Sequence, residues 1–221
     1  MSDILPFLRD LAHNNNREWF EHNRTRYEAA RQDLMARVSE LLSEMPRLDP
    51  RFSMVEAKQC LFRINRDTRF SADKSPYKRH FGVYLTVYDK ADEQGGYYMH
   101  FEPGNCFVAA GAYCLSPRSR LAVRQHIVDE VETLHAITTQ APFSTLYMPQ
   151  GIGQERLKTL PKGFDKAFPY PEYLRPQDYS VWHPVSDAFF FTTDWVEQTL
   201  RSFAVAKPFL DFINAAIDEM A

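Results

Sequence analysis

The residues best suited to chemistry lie close together in one stretch. Lys58 to His80 reads KQCLFRINRDTRFSADKSPYKRH and holds seven Lys or Arg against two Asp, a net charge of +5. The whole chain has 26 basic and 29 acidic residues, a net −3, so the remainder carries −3 − 5 = −8. Arg63, Arg66 and Arg69 stand at three-residue spacing, with Asp67 and Asp73 available to orient them, and Lys74, Tyr77 and Lys78 follow. Guanidinium groups held by carboxylates, with amine and phenol donors beside them, suit a phosphate or another small oxyanion. The same residues suit a salt-bridge network that pins a long loop to a sheet, and composition leaves both readings open. A third reading, a phosphate track for nucleic acid, runs against the acidic whole and the carboxylates inside the segment.

His100 and Glu102 are spaced to share one face of a strand. They suit an acid–base pair, two metal ligands, or a hydrogen-bonded polar pair at a sheet edge. No third ligand is evident beside them, so no metal is expected. His-x-Glu also opens the zinc deaminase signature, but the Pro-Cys-x-x-Cys half is missing. The candidate catalytic residues are thus His100, Glu102 and Tyr77. The candidate ligand-binding residues are Arg63, Arg66, Arg69, Asp67, Asp73, Lys74, Lys78 and Lys158, the last adding positive charge from a distant segment, while Lys162 is expected in a solvated loop. Gly151-Ile152-Gly153 begins like a dinucleotide loop but lacks the third glycine and a preceding buried strand. With eight glycines and no Walker-type loop, a glycine-rich nucleotide cradle and any other cofactor are not expected, and no Gly-x-Ser-x-Gly elbow offers a serine nucleophile.

The elements that must position these residues follow from periodicity. Ile4, Leu5, Phe7, Leu8 and Leu11 predict a first helix, and Asn14-Asn15-Asn16 interrupts it and offers a cap for a second. That second helix is expected from about Arg17 to Glu44, with Phe20, Tyr27, Ala30, Leu34, Val38 and Leu41 on one stripe. From Lys58 the period becomes two, with Cys60, Phe62 and Ile64 on one side. Strands are then expected over Phe81–Tyr88, Tyr97–Glu102 and Cys106–Leu115, joined by short turns into an antiparallel meander. Ser116-Pro117 starts a helix expected to reach about Thr138. Seven prolines between Ala141 and Pro184 predict an irregular excursion. A last strand is expected over Val185–Thr193, a helix start at Asp194 and Glu197, and a final helix opening at Pro208. The sum is one α+β domain over residues 1–221: an antiparallel sheet with helices packed mainly on one face.

Three cysteines without a CxxC spacing argue against disulfides or structural zinc and for a reducing compartment. The N-terminus lacks a basic n-region, so no signal peptide is expected. No apolar run reaches the length of a membrane span, so no membrane partner is expected and a cytoplasmic location is the default.

Several motifs together carry a family resemblance. FRINRDTRFSADKSPYK resembles the signature FRI-x-RD-x-RFS-x-DK-x-PYK of the bacterial and fungal family catalogued as domain of unknown function 2461. Asn14 to Phe20 is similar to its NN-x-x-WF motif, Gly96 to Gly104 to its GYY…EPG hairpin, and Leu157 to Phe164 to its LK-x-x-PKGF motif. The resemblance covers nearly the whole chain. It implies no activity, cofactor or catalytic residue, so function rests on the residues themselves. These predict a pocket for a small anionic ligand. Whether it works as an enzyme, a nucleic-acid-binding module or a scaffold braced by its own motif stays open.

Overall fold

The computed structural model describes residues 2–89 and 92–219. Four strands form one antiparallel sheet in the order β1-β2-β3-β4: β1 (Phe81–Leu85), β2 (Gly96–Phe101), β3 (Phe107–Ala112) and β4 (Tyr179–Pro184). The first three are a meander, as alternation predicts. Phe81, Val83, Leu85, Tyr97, Met99 and Phe101 are all buried, which fixes the register because a one-residue slip would turn them all to the other side. The fold class is α+β.

The described residues group into two compact units. The first comprises residues 1–87, 98–108 and 184–200. Helix α1 (Ile4–His13) buries Ile4, Phe7, Leu8 and Leu11 against α3 (Arg24–Glu44), whose Leu34, Val38 and Leu41 are fully buried. Phe7 centres an aromatic cluster with Trp19, Phe20, Tyr27 and Phe81, ring centroids 5.9–6.4 Å away. The expected helix from Arg17 to Glu44 is divided at Asn23, giving α2 (Arg17–His22) and α3. Asn23 Nδ2 donates to the Trp19 carbonyl at 2.9 Å, a local bond that competes with helix continuation.

The strand expected from Lys58 is absent. Ala57–Cys60 form a short helix, α4, closed by a capping box between Glu56 and Gln59. Beyond it only single bridges form, Leu61 to Val83 and Asn65 to Tyr77. Cys60 and Ile64 are buried and Phe62 half-exposed, so the apolar alternation reflects contacts of an irregular segment.

The second unit comprises residues 88–97, 109–183 and 201–221. Ser116 caps α5 (Pro117–Asp129) through the Ser119 N–H, and a break at Glu130 separates α5 from α6 (Val131–Thr139) where one helix was expected. The proline-rich segment holds α7 (Phe143–Leu146) and is ordered by buried tyrosines. Tyr147 donates to the Ser202 carbonyl at 2.7 Å, and Tyr179 to the Tyr173 carbonyl at 3.1 Å. Gly111, at φ +128°, lies so close to the Tyr179 carbonyl that any Cβ would collide with it.

The last strand lies earlier than expected. Tyr179–Pro184 forms β4, whereas Phe189–Phe191 is a 3₁₀ turn. One helix, α8 (Trp195–Asp218), runs through Pro208 instead of starting there. It buries Phe203, Ala206, Phe209, Leu210, Phe212 and Ile213 around the proline. At about 1.5–3 kcal/mol per large apolar side chain, this outweighs the roughly 3 kcal/mol an interior proline costs. Trp195 is buried, while Trp19 and Trp182 are half-buried.

Candidate functional site

The arginine-rich motif, all in the first unit, is a braced loop. Arg66 N–H donates to the Pro76 carbonyl at 2.9 Å and Lys78 N–H to the Ile64 carbonyl at 2.8 Å. Residues 67–75 close between these two arms. Arg66 holds the closure: Nη1 donates to Asp73 Oδ2 (2.6 Å), Ser75 Oγ (2.6 Å) and the Ser75 carbonyl (3.1 Å), and Nη2 to Ser71 Oγ (3.2 Å). Bonds from the Ser75 hydroxyl and backbone, and then from Arg66, hold the Asp73 carboxyl well below the usual carboxylate range. Lys74 Nζ donates to the Thr68 carbonyl at 2.9 Å.

The run of asparagines positions this loop. Asn15 meets the backbone of Tyr77 twice, Nδ2 donating to its carbonyl at 2.9 Å and Oδ1 accepting its N–H at 3.1 Å. Asn16 caps α2 by accepting the Trp19 N–H at 2.9 Å. The Tyr77 ring stacks on Phe20, centroids 4.0 Å apart. A cavity of about 680 Å³ opens here, lined by Asn15, Asn16, Arg17, Asn65, Arg66, Thr68, Lys74, Ser75, Pro76 and Tyr77. Its lining has three cations and no carboxylate. Arg17 forms no ion pair among the described residues, and Arg66 keeps Nε–H and one Nη2 hydrogen outside its bracing bonds.

Of the residues singled out from sequence, Arg66, Lys74 and Tyr77 thus line one cavity, with Asp73 orienting Arg66. Arg69 does not: it forms an exposed fork with Asp67, Nε to Oδ1 at 3.0 Å and Nη2 to Oδ2 at 2.7 Å, while Asp67 also accepts the Arg69 N–H. Arg63 is exposed, and Lys78 lies 5.3 Å from the Phe62 ring centre, its ammonium pKa lowered by burial and by Arg63. Lys158 is exposed and belongs to the second unit. Arg17 was missed. Its signal was adjacency to the asparagine run, which read only as a helix cap.

His100 and Glu102 form a second cluster, also within the first unit, and neither lines the cavity. His100 is buried, with Nδ1 3.0 Å from the Tyr98 hydroxyl and Nε2 3.1 Å from Glu102 Oε2. Asn105 Nδ2 donates to that same Oε2 at 2.7 Å. Phe107 stacks on the His100 ring at 4.5 Å. His80, which the sequence pattern did not single out, brings its ring to 4.3 Å from that of His100. One donor atom each from His80, His100 and Glu102 lie within 4.8 Å of one another. Burial, with His100 adding to it, holds the His80 imidazole down to about 4. Burial also lowers His100, against the pull of Glu102. Burial pushes Glu102 upward, but bonds from Asn105 and His100 outweigh it, so the carboxyl sits below its ordinary value. Two neutral imidazoles therefore face one carboxylate at neutral pH.

The chain matches the family described as Conserved hypothetical protein (DUF2461) over residues 3–212. It belongs to that family. No curated protein and no solved structure matches the chain. The DUF2461 match spans the braced loop, the cavity and the His80–His100–Glu102 cluster alike.

The cysteines offer no nucleophile at either place. Cys60 and Cys106 are buried and Cys114 is exposed, all three as free thiols. Burial pushes the Cys106 thiol up to about 11. No helix among the described residues is long and apolar enough to cross a membrane.

Proposed function

We propose that this DUF2461 chain binds a small ligand bearing a phosphate or carboxylate in the cavity between the Asn15–Arg17 corner and the Arg66–Tyr77 loop. One observation carries the reading: Arg17, Arg66 and Lys74 line a cavity whose wall holds no acidic side chain. Its volume, about 680 Å³, falls in the range of small-molecule sites. Arg66 is held rigidly by Asp73 and Ser75, so little of its side-chain entropy remains to be lost on binding. The Tyr77 hydroxyl forms no hydrogen bond within the described residues, which leaves it as a further donor to the ligand or a proton carrier. The cytoplasm is the proposed location, because the three thiols are unpaired.

Calorimetric titration with inorganic phosphate, followed by small phosphorylated and carboxylated metabolites, tests the proposal. Saturable binding weakened by Arg17→Gln supports it. No binding at millimolar phosphate by any member of the panel would remove it. Tight binding to oligonucleotides with a steep loss on adding salt would replace it with a nucleic-acid function.

A further inference from the structure

We propose that His80, His100 and Glu102 form a binding site for a divalent transition-metal ion of the Zn²⁺ or Fe²⁺ class. Two imidazoles and one carboxylate are the donors such borderline ions prefer. Ligand atoms about 2.0–2.2 Å from a common ion lie about 3–3.5 Å from one another. The His100 Nε2 to Glu102 Oε2 separation is 3.1 Å, inside that range. The three donor atoms span at most 4.8 Å, so gathering them needs a shift on the order of 1 Å in the His80 side chain.

The outer groups favour the same reading. The Tyr98 hydroxyl lies 3.0 Å from His100 Nδ1, so it can hold that nitrogen while Nε2 faces the ion. Asn105 fixes the Glu102 carboxylate through one lone pair of Oε2 and leaves another for the ion. Gly82 makes room for this support, since a Cβ there would come within 2.6 Å of the Tyr98 hydroxyl. A hydrogen-bonded His100–Glu102 pair alone explains two of the three residues. It does not explain His80, which is half-buried and forms no hydrogen bond among the described residues yet packs its ring beside the buried imidazole of His100. An ion shared by both rings supplies the missing partner. Three protein donors leave a coordination position for water or a ligand oxygen, the arrangement of catalytic rather than structural sites.

None of the three residues lines the anion cavity, so this inference and the proposed function stand or fall separately. The test is titration of the chelator-stripped protein with Co²⁺. One equivalent should bind, with visible d–d absorption, no thiolate charge-transfer band, and displacement by one equivalent of Zn²⁺. His80→Gln and Glu102→Gln should each weaken Co²⁺ binding at least about 10-fold, with circular dichroism showing that both remain folded. If either variant fails to fold, the Co²⁺-loaded wild type decides, and paramagnetically shifted resonances from two imidazole rings are expected. Absence of one-equivalent binding, a thiolate band, wild-type affinity in a folded variant, or a missing pair of imidazole signals would overturn the site.

Discussion

Arg17 and Arg66 line the same cavity but are held in opposite ways, and this separates binding from folding. Arg66→Gln removes the Nη1 and Nη2 bonds to Ser71, the Ser75 hydroxyl and the Ser75 carbonyl. Two Nη1 hydrogens and one Nη2 hydrogen make these bonds and the one to Asp73, so the loss corresponds to about three net bonds in all. At about 0.5–1 kcal/mol each for a side chain one-quarter exposed, the cost is about 1.5–3 kcal/mol. Asp73 adds little to this, because it is exposed and keeps its bonds from Ser75. For a chain of this size the melting temperature should fall by about 3–12 °C. Arg17→Gln removes no ion pair among the described residues and should change the melting temperature by less than about 2 °C. In phosphate binding, each variant should lose one charge-assisted bond, about 1.5–3 kcal/mol, or roughly 10- to 150-fold in affinity. Urea and thermal melts with phosphate calorimetry on the same preparations provide the readout. An unchanged melt for Arg66→Gln would refute the bracing role of that arginine. Unchanged phosphate affinity in Arg17→Gln would refute the cavity as the anion site.

Three further outcomes are expected. A thiol reagent at neutral pH should label Cys114 ahead of the other two, slowly because burial and then Asp178 raise its thiol, and all three only after denaturation; reducing agent should leave the melt unchanged, and a drop of several degrees would reveal a disulfide. Burial raises the phenols of Tyr147 and Tyr179 and pushes Tyr84 up to about 12. Their neutral forms therefore contribute stability that is complete below the unfolded value near 10 and is lost as pH climbs through the folded values; phenolate absorbance should show these residues ionising together with alkaline unfolding, and full titration of a still-folded chain would contradict it. Because β2 and β3 each contribute residues to both compact units, we expect residues 1–221 to unfold as one domain in a single denaturant transition, and two resolved transitions by fluorescence and circular dichroism would divide it.

How much of this was legible in the sequence depended on the range of the deciding interaction. Strands β1 to β3 were readable because alternation is local and each strand is one-sidedly buried. The stretch at Lys58 alternates as well, but the capping box at Glu56 and Gln59 turns its start into helix, and pairing beyond it fails after single bridges. Phe189-Phe190-Phe191 resembled a strand by composition. Only Phe190 of the three is buried, as a 3₁₀ turn dictates, while the true edge strand was masked by the surrounding prolines. Pro208 misled because its cost is fixed and local, whereas the apolar burial that outweighs it is tertiary.

The same contrast explains the two candidate sites. The charge of the arginine motif is visible at a glance, but the division of labour within it is not. Arg66 and Arg69 have the same residue type and similar carboxylate partners, yet one is wedged among Ser71, Asp73 and Ser75 and the other clasps an exposed Asp67 two residues away. Reach decides between them: an i,i+2 pair closes on itself, whereas the seven-residue span from Arg66 to Asp73 encloses a loop and thereby builds a wall. His80 was hidden for a related reason. It stands one residue before β1, while His100 and Glu102 lie at the end of β2 and just beyond it, and antiparallel pairing sets the start of one strand beside the end of its neighbour. A search for ligands by sequence spacing finds only pairs such as His-x-Glu. A search across the hairpin finds the third donor, and across a meander it is the opposite strand end, more than the next residue along, that completes a constellation.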